Sequence, residues 1–405
     1  MIAFLCSPYH RGGVTRWMVD AAIEWAKTEP VFFITVEPRK PFYSAGGKET
    51  IIELLGKEKS NIQVVKKTVG WEFEFGTSDY RRSVYEELIS ENVPRGTSII
   101  LSDDATIWST STNLFAHYKI ISVLHGNDDA YYDLVGKYHA TIHGFACVSH
   151  RIRNIMLDRY PFINIERTAV IPCGIDMPEF IDREHANNQL RLVFVGRIDQ
   201  HQKRVLDIHK IAVQLSQAGI DYMIDIIGEG AEREKMAQLF EQDGLGNRIV
   251  FHGWKQKTEI YSILFNEDIL LLTSDVEGMP IAMMEGLACG CSVVGTRISG
   301  IEDYEFADVA KDCLRVFGVG DIKDAVDKIL SLTTTQTQKT RSAARYMAEN
   351  EFAMPICIQR YSSLIKTIQP IEVGDELVSN GNRAFSQLYS YCRALFRRAR
   401  LSIKK

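Results

Sequence analysis

Short apolar runs alternate with longer stretches in which apolar residues recur every three or four positions. The runs predict strands near 1–6, 31–36, 62–65, 98–102, 119–124, 144–148 and 168–171, and again near 191–195, 222–227, 248–251, 268–272 and 292–295. Between them lie helical patterns such as Val205, Ile208, Ile211, Ala212 and Leu215. Alternation of this kind predicts an α/β protein with parallel sheets. The turn signal Ile171-Pro172-Cys173-Gly174-Ile175-Asp176, followed by the polar stretch Asp182 to Gln189, marks the best domain boundary. At 405 residues the chain exceeds what one core usually holds, so two Rossmann-like domains are expected, at 1–175 and 176–370, with a tail at 371–405.

Composition narrows the picture without deciding it. Hydrophobic residues at 45% and charged residues at 24% describe an ordinary globular chain, and a net charge of −5 gives no hint of nucleic acid. The eight cysteines are scattered, form no CxxC pair and several lie in apolar strands, which reads as small buried hydrophobes in a reducing cytosol. The first residues lack a basic n-region and read as a strand, with no signal peptide. No apolar run approaches the roughly 20 residues of a membrane span. A cytoplasmic location is expected.

Candidate chemistry is concentrated in the second half. Glu277 and Glu285 have seven residues between them, directly after the strand Asp268-Ile269-Leu270-Leu271-Leu272. Pro280 suits the first turn of a helix whose apolar positions are Ile281, Met284, Leu287 and Ala288. Glu277 then lies in the loop at the strand's carboxyl end, and Glu285 about two turns into the helix. Parallel sheets bind ligands at that edge, and a helix N-terminus there offers free amides near Gly278 and Met279 to phosphate or hydroxyl oxygens. One such Glu is usually a solvated acid. A second site with matching chemistry changes the balance: the strand Leu192 to Val195 ends in Gly196, Arg197 follows at once, and Lys203 opens the next helix. Two fixed positive charges beside a strand end suit a diphosphate.

Taken in order, Val195-Gly196-Arg197 with Lys203, Ile227-Gly228-Glu229-Gly230, His252-Gly253-Trp254, Glu277 to Glu285 and Gly300-Ile301-Glu302-Asp303 resemble the motifs of the retaining glycosyltransferases of family 4. The resemblance covers roughly residues 1 to 365 and implies the GT-B fold, two Rossmann-like parallel-sheet domains facing an inter-domain cleft. It implies that Arg197 and Lys203 grip the nucleotide diphosphate, that Glu277 contacts donor-sugar hydroxyls and that Glu285 holds the ribose. Gly12, Gly13, Gly196, Glu229, Gly278, Met279 and Pro280 would complete the donor site. Arg204 stands where many members have glycine, and Glu302 where proline is common; both departures bear on sugar selectivity.

The first half adds the loop Ser7 to Val14, whose Gly12 and Gly13 permit close backbone approach to a ligand. It also adds His125, directly after the strand Lys119 to Leu124. The resemblance places that loop by the donor phosphate and the acceptor, and His125 beside the donor sugar. No two aspartates are separated by a single residue, so there is no DxD metal motif, and no metal or other cofactor is expected. His139 and His143 have i,i+4 spacing, but Ala140 replaces the glutamate of HExxH.

The reaction implied is transfer from a UDP- or GDP-sugar to a glycan or lipid-linked acceptor, with net retention, in surface polysaccharide or lipopolysaccharide assembly. Residues 383–405 carry seven basic and no acidic side chains interleaved with apolar ones, a pattern that suits contact with an anionic inner-leaflet surface or packing back on the body. Two rivals stand beside the enzyme reading. A Rossmann oxidoreductase lacks its G-x-G-x-x-G after the first strand. A non-catalytic nucleotide-sugar-binding scaffold would use the same contacts.

Overall fold

The computed structural model describes residues 1–7, 13–38, 55, 61–181, 189–333, 338–369 and 371. They form two compact units. The first comprises Met1–Cys147, Arg153–Ile171 and the chain from Ile358; the second comprises Val148–Ile152 and Pro172–Cys357.

Seven strands build the first unit: β1 (Ile2–Leu5), β2 (Val31–Pro38), β3 (Ile62–Val69), β4 (Ser98–Leu101), β5 (Lys119–Leu124), β6 (Gly144–Cys147) and β7 (Thr168–Val170). They are parallel throughout, in the order β3-β2-β1-β4-β5-β6-β7. Every residue of β1, β4 and β6 is buried, as expected for strands covered on both faces. The helix Gly13–Trp25 covers the centre, its Trp25 ring edge-on to Phe4 at 6.1 Å while Phe4 stacks on Phe33. Asp104 caps the helix Ala105–Ser109 through the amides of Thr106 and Ile107, and Asp128 caps Asp129–Tyr138.

The second unit repeats the plan with β8 (Leu190–Val195), β9 (Tyr222–Ile227), β10 (Ile249–Gly253), β11 (Ile269–Leu272), β12 (Ser292–Thr296) and β13 (Leu314–Phe317). Their order is β10-β9-β8-β11-β12-β13, again all parallel. Leu192, Phe194, Ile224, Ile226, Ile269 and Leu271 cluster on one face with Val205, Ile208, Ile211, Ala212 and Leu215, the stripe read from the sequence, and with Ile329 and Leu332 of the helix Ile322–Thr333. The other face carries the short helix Ile281–Ala288. Gly286 lets that helix sit directly on β11, because a Cβ there would stand 2.9 Å from Leu270 Cδ2. Arg341, fully buried, donates to the carbonyls of Phe265 and Cys289, both just past helix C-termini where cations are favoured.

The expected two-sheet α/β architecture is what the chain forms, with particulars that differ. β13 escaped prediction. The polar stretch at 182–188 lies outside the described residues, and the chain changes unit at Ile171–Pro172, a few residues before the expected 175. The helix Met354–Thr367 was expected in the second domain, yet from Ile358 the chain groups with the first unit. There Tyr361 meets Trp17 with ring centroids 5.7 Å apart, and Lys119 Nζ donates to the Ile365 carbonyl at 2.8 Å. At the second unit's own border, Ile175 bridges Ala353 in parallel, with Ile175 N donating to Phe352 O at 2.8 Å and Met354 N to Ile175 O at 2.9 Å.

Strand order reverses between β1 and β4 in one sheet and between β8 and β11 in the other. At such a switch point the flanking loops leave in opposite directions and open a crevice at the carboxyl edge, where open α/β sheets bind ligands.

Candidate functional site

The second unit's switch point is built from the loops after β8 and β11. Past Val195, the β8 loop runs alongside the β9 loop: Gly196 N donates to Ile227 O at 3.0 Å and Ile198 N to Glu229 O at 2.9 Å. Gly228 N in turn donates to Gly253 O at 2.9 Å, so three strand ends are laced together. Glycine is required for this approach. Gly228 has φ +136°, and a Cβ on it would overlap the Gly196 carbonyl oxygen.

Asp199 then shapes the turn that carries the cations, accepting from the amides of Gln202 at 2.7 Å and Lys203 at 3.3 Å. Burial raises its pKa, but those amides with Arg197 and Lys203 outweigh burial and hold it below the usual carboxylate range. Arg204 follows with φ +48°, a left-handed conformation that costs a non-glycine residue about 1–2 kcal/mol. Its guanidinium bonds Asp207 Oδ2 at 2.8 Å and Asp275 Oδ1 at 3.4 Å.

Across the crevice, the β11 loop is tied to the β8 loop at several points. Thr273 Oγ1 donates to Lys203 O at 2.7 Å, Asp275 N to Gln202 O at 2.8 Å, and Gln202 Nε2 to Val276 O at 3.2 Å. Lys203 Nζ meets Glu277 Oε1 in an ion pair, and Ser274 Oγ donates to the same oxygen at 2.8 Å. Both paired side chains are largely withdrawn from water, at 17% and 11% exposure. Gly278 O accepts from Ser299 Oγ at 2.9 Å, and Gly300, at φ +83°, packs against Gly278 and Met279. The helix Ile281–Ala288 starts here. Pro280 precedes it as an N-cap that makes no side-chain cap bond, and Met283 N donates to Pro280 O at 3.1 Å.

The structure thus joins Gly196, Lys203, Glu277, Gly278, Met279 and Pro280 at one strand edge. Arg197 is at the same edge but mostly exposed, held by Asp199 at 3.0 Å and by Gln202 Oε1 at 2.7 Å. Glu229 is exposed over Gly253. Two positions differ from expectation. The helix expected to open at Lys203 begins at Leu206, because the Asp199 turn and the left-handed Arg204 intervene. Glu285, expected two turns into its helix, is the fifth residue of Ile281–Ala288 and stands a little over one turn in, since Pro280 stays outside. Glu302 pairs with Arg151, and Asp303 accepts from His150 N at 2.8 Å. Gln202, Thr273, Ser274 and Ser299 were not singled out by sequence; their only signal was polarity at a strand end.

His125 and Gly13 belong to the first unit. Gly13 opens the helix Gly13–Trp25; Gly12 lies outside the described residues, as does the basic tail 383–405. His125 follows β5, packs edge-on to Trp17 at 5.0 Å and stands beside Asp103 at the end of β4. Burial drives its pKa down to about 4, although Asp103 pulls upward, so the imidazole is neutral near pH 7. His139 ends its helix against Phe162, while the His143 Nδ1 accepts from Ile120 N at 3.0 Å, so their spacing has no helical meaning. Among the described residues no His, Cys, Asp or Glu group of three is arranged for a metal ion, all seven cysteines are buried free thiols, and no helix is long and apolar enough to cross a membrane.

A further polar cluster lies in the same sheet, towards the amino ends of β8 and β11. Arg191 of β8 pairs with Asp225 of β9 and with Glu267 at 3.1 Å, and His252 of β10 also bonds Asp225. Burial and the neighbouring Asp225 push Glu267 up to about 8, against the pull of Arg191.

Comparison with known proteins follows this geometry. Residues 177–351 match the model of the family described as Glycosyl transferases group 1, a stretch that spans most of the second unit. A putative colanic acid biosynthesis glycosyltransferase, WcaL of Escherichia coli, is 26% identical over 211 residues, covering 50% of this chain and 52% of that protein. The chain therefore spans about half the length of this relative. Among solved structures, the lipopolysaccharide outer core galactosyltransferase WaaB aligns with TM-score 0.67 at 16% identity, over 90% of this chain and 99% of that one. HepE of Anabaena in complex with UDP aligns with TM-score 0.69 at 14% identity, over 91% and 100%. These likenesses show the fold, which is GT-B.

Proposed function

We propose that the protein is a retaining, metal-independent glycosyltransferase of family 4 that moves a sugar from a UDP- or GDP-sugar to a glycan or lipid-linked acceptor. One observation carries the reading: a lysine and a glutamate sit paired at the switch point of the second unit, beside the start of a helix whose N-cap residue makes no side-chain cap bond. That combination suits a ligand that is anionic at one end and rich in hydroxyls at the other. The family match over residues 177–351 supports it independently.

In this reading Lys203, Arg197 and the amides near Gly278 and Met279 receive the diphosphate. Charge on the leaving group grows as the anomeric bond breaks, so these donors stabilise the transition state more than the ground state. The missing DxD motif agrees, because fixed cations and amides then do what a metal would otherwise do. Glu277 takes donor-sugar hydroxyls and Glu285 the ribose. The departing phosphate accepts the acceptor's proton on the face it leaves, giving retention. Neutral His125 exchanges a hydrogen bond with a sugar hydroxyl without adding charge. The relatives' names favour a role in surface polysaccharide or lipopolysaccharide assembly, and the basic tail would hold the enzyme at an anionic inner-leaflet surface.

A screen of the purified chain against UDP- and GDP-sugars in EDTA, following melting temperature and nucleotide release, tests this. A shift with one donor and slow release to water without added metal is expected. Binding without release, even with candidate acceptors, would instead identify a nucleotide-sugar-binding scaffold.

A further inference from the structure

The backbone turn at Arg204 is one that glycine makes freely and arginine makes at a cost, so the retained side chain needs a reason. Its guanidinium reaches three separate pieces of chain. Nε bonds Asp207 at the start of the helix Leu206–Gln217, Nη1 bonds Asp275 in the β11 loop, and Nη2 lies against Gly320 in the loop after β13, 2.9 Å from where its Cβ would be. Asp275 is two residues from Glu277, and Arg204 directly follows Lys203. The Lys203–Glu277 pair therefore bridges the same two loops that Arg204 and Asp275 join. Besides the Lys203–Glu277 pair itself, the other cross-links run through the backbones of Gln202, Lys203 and Val276 or the Thr273 hydroxyl; Arg204 supplies a second charged one.

We propose that Arg204 is a positioning residue for the donor, fixing the Glu277 loop against the Lys203 loop through its ion pair with Asp275. This rests on the glycosyltransferase reading above. Loss of the brace lets the two loops separate by a fraction of an ångström, so the groups that meet the diphosphate and the sugar lose their mutual register. The αL turn itself does not depend on the brace in a glycine variant, which separates the side chain's role from the backbone's.

The test compares the full-length wild type with Arg204→Gly, Arg204→Lys and Asp275→Asn in steady-state kinetics and thermal melts. In Arg204→Gly, kcat/KM for the nucleotide sugar is expected to fall about tenfold, mainly through KM, with KM for the acceptor unchanged. Asp275→Asn should reproduce that loss without touching the turn, and Arg204→Lys should recover part of it. Melting temperatures of Asp275→Asn and wild type should agree within a few degrees. Wild-type kinetics in both Arg204→Gly and Asp275→Asn would overturn the proposal, as would an equal rise in both KM values. A wild type that turns over no donor refutes the underlying function, and the brace with it.

Discussion

Lys203 and Glu277 stand 74 positions apart and close on each other as an ion pair across the crevice between β8 and β11. Each satisfies a charge that the other would leave stranded in a poorly hydrated place. On the proposed function, an incoming donor would offer both a replacement: phosphate oxygens for the ammonium and hydroxyl donors for the carboxylate.

The first prediction concerns that exchange. Lys203→Ala should lower kcat/KM by about 10²-fold, the usual effect of removing one donor to a developing oxyanion. Glu277→Gln should lower kcat. The double variant should lose less than the product of the two, because either change already breaks the same pair. Kinetics of the four proteins give the coupling, and strictly multiplicative losses would show that the pair does not act as a unit.

Gly228→Ala should fail structurally before it fails chemically. The added methyl collides with the Gly196 carbonyl and the residue cannot relax from φ +136°. We expect a cost of about 3 kcal/mol or more, read as a lower denaturation midpoint. Glu229→Ala, one residue on and exposed, should leave that midpoint within about 0.5 kcal/mol.

Glu267 sets a pH dependence with a definite sign. Its folded pKa of about 8 lies above the ordinary 4.5, so the folded state binds the proton more tightly. The stability this contributes is fully present below about pH 4.5 and is lost as pH rises through about 8. Melting temperatures in a pH series should carry this decline, and Glu267→Gln should flatten it. An unchanged profile in the variant would assign the titration elsewhere.

His125 has the opposite sense. Its pKa is depressed to about 4 from 6.5, so its contribution to stability is present above about pH 6.5 and is lost as pH falls towards 4. Because the imidazole stays neutral, His125→Asn should reduce kcat without removing any ionisation between about pH 5.5 and 8 from the pH–rate profile. Disappearance of such a limb in the variant would mean that His125 titrates during turnover.

What was legible in the sequence follows from how local each feature is. Strands such as Leu192–Val195 and Leu270–Leu272 announce themselves because burial on both faces demands unbroken apolar residues. β13 did not, since its four residues include the half-buried Arg315. The stripe on the helix Leu206–Gln217 was read correctly but its start was not, because the turn depends on Asp199 accepting two amides and on a left-handed arginine, neither visible as a pattern. Gly196, Lys203 and Glu277 were candidates from their place near strand ends, and the fold brings them to one edge. The Arg191, Asp225 and Glu267 cluster was not, because polar residues from β8, β9 and the turn before β11 meet only through the sheet's register. The return of the chain from Ile358 to the first unit is likewise a long-range choice made by packing.

The clasp between Ile175 and Ala353 brings the two ends of Pro172–Cys357 together. Apart from the short piece Val148–Ile152, that unit is one excursion of the chain whose entry and exit segments are hydrogen-bonded side by side. An insertion so arranged imposes almost no loop-closure strain on its host. On the glycosyltransferase reading proposed above, a chimera that exchanges Pro172–Cys357 as one piece is expected to alter which activated sugar is held.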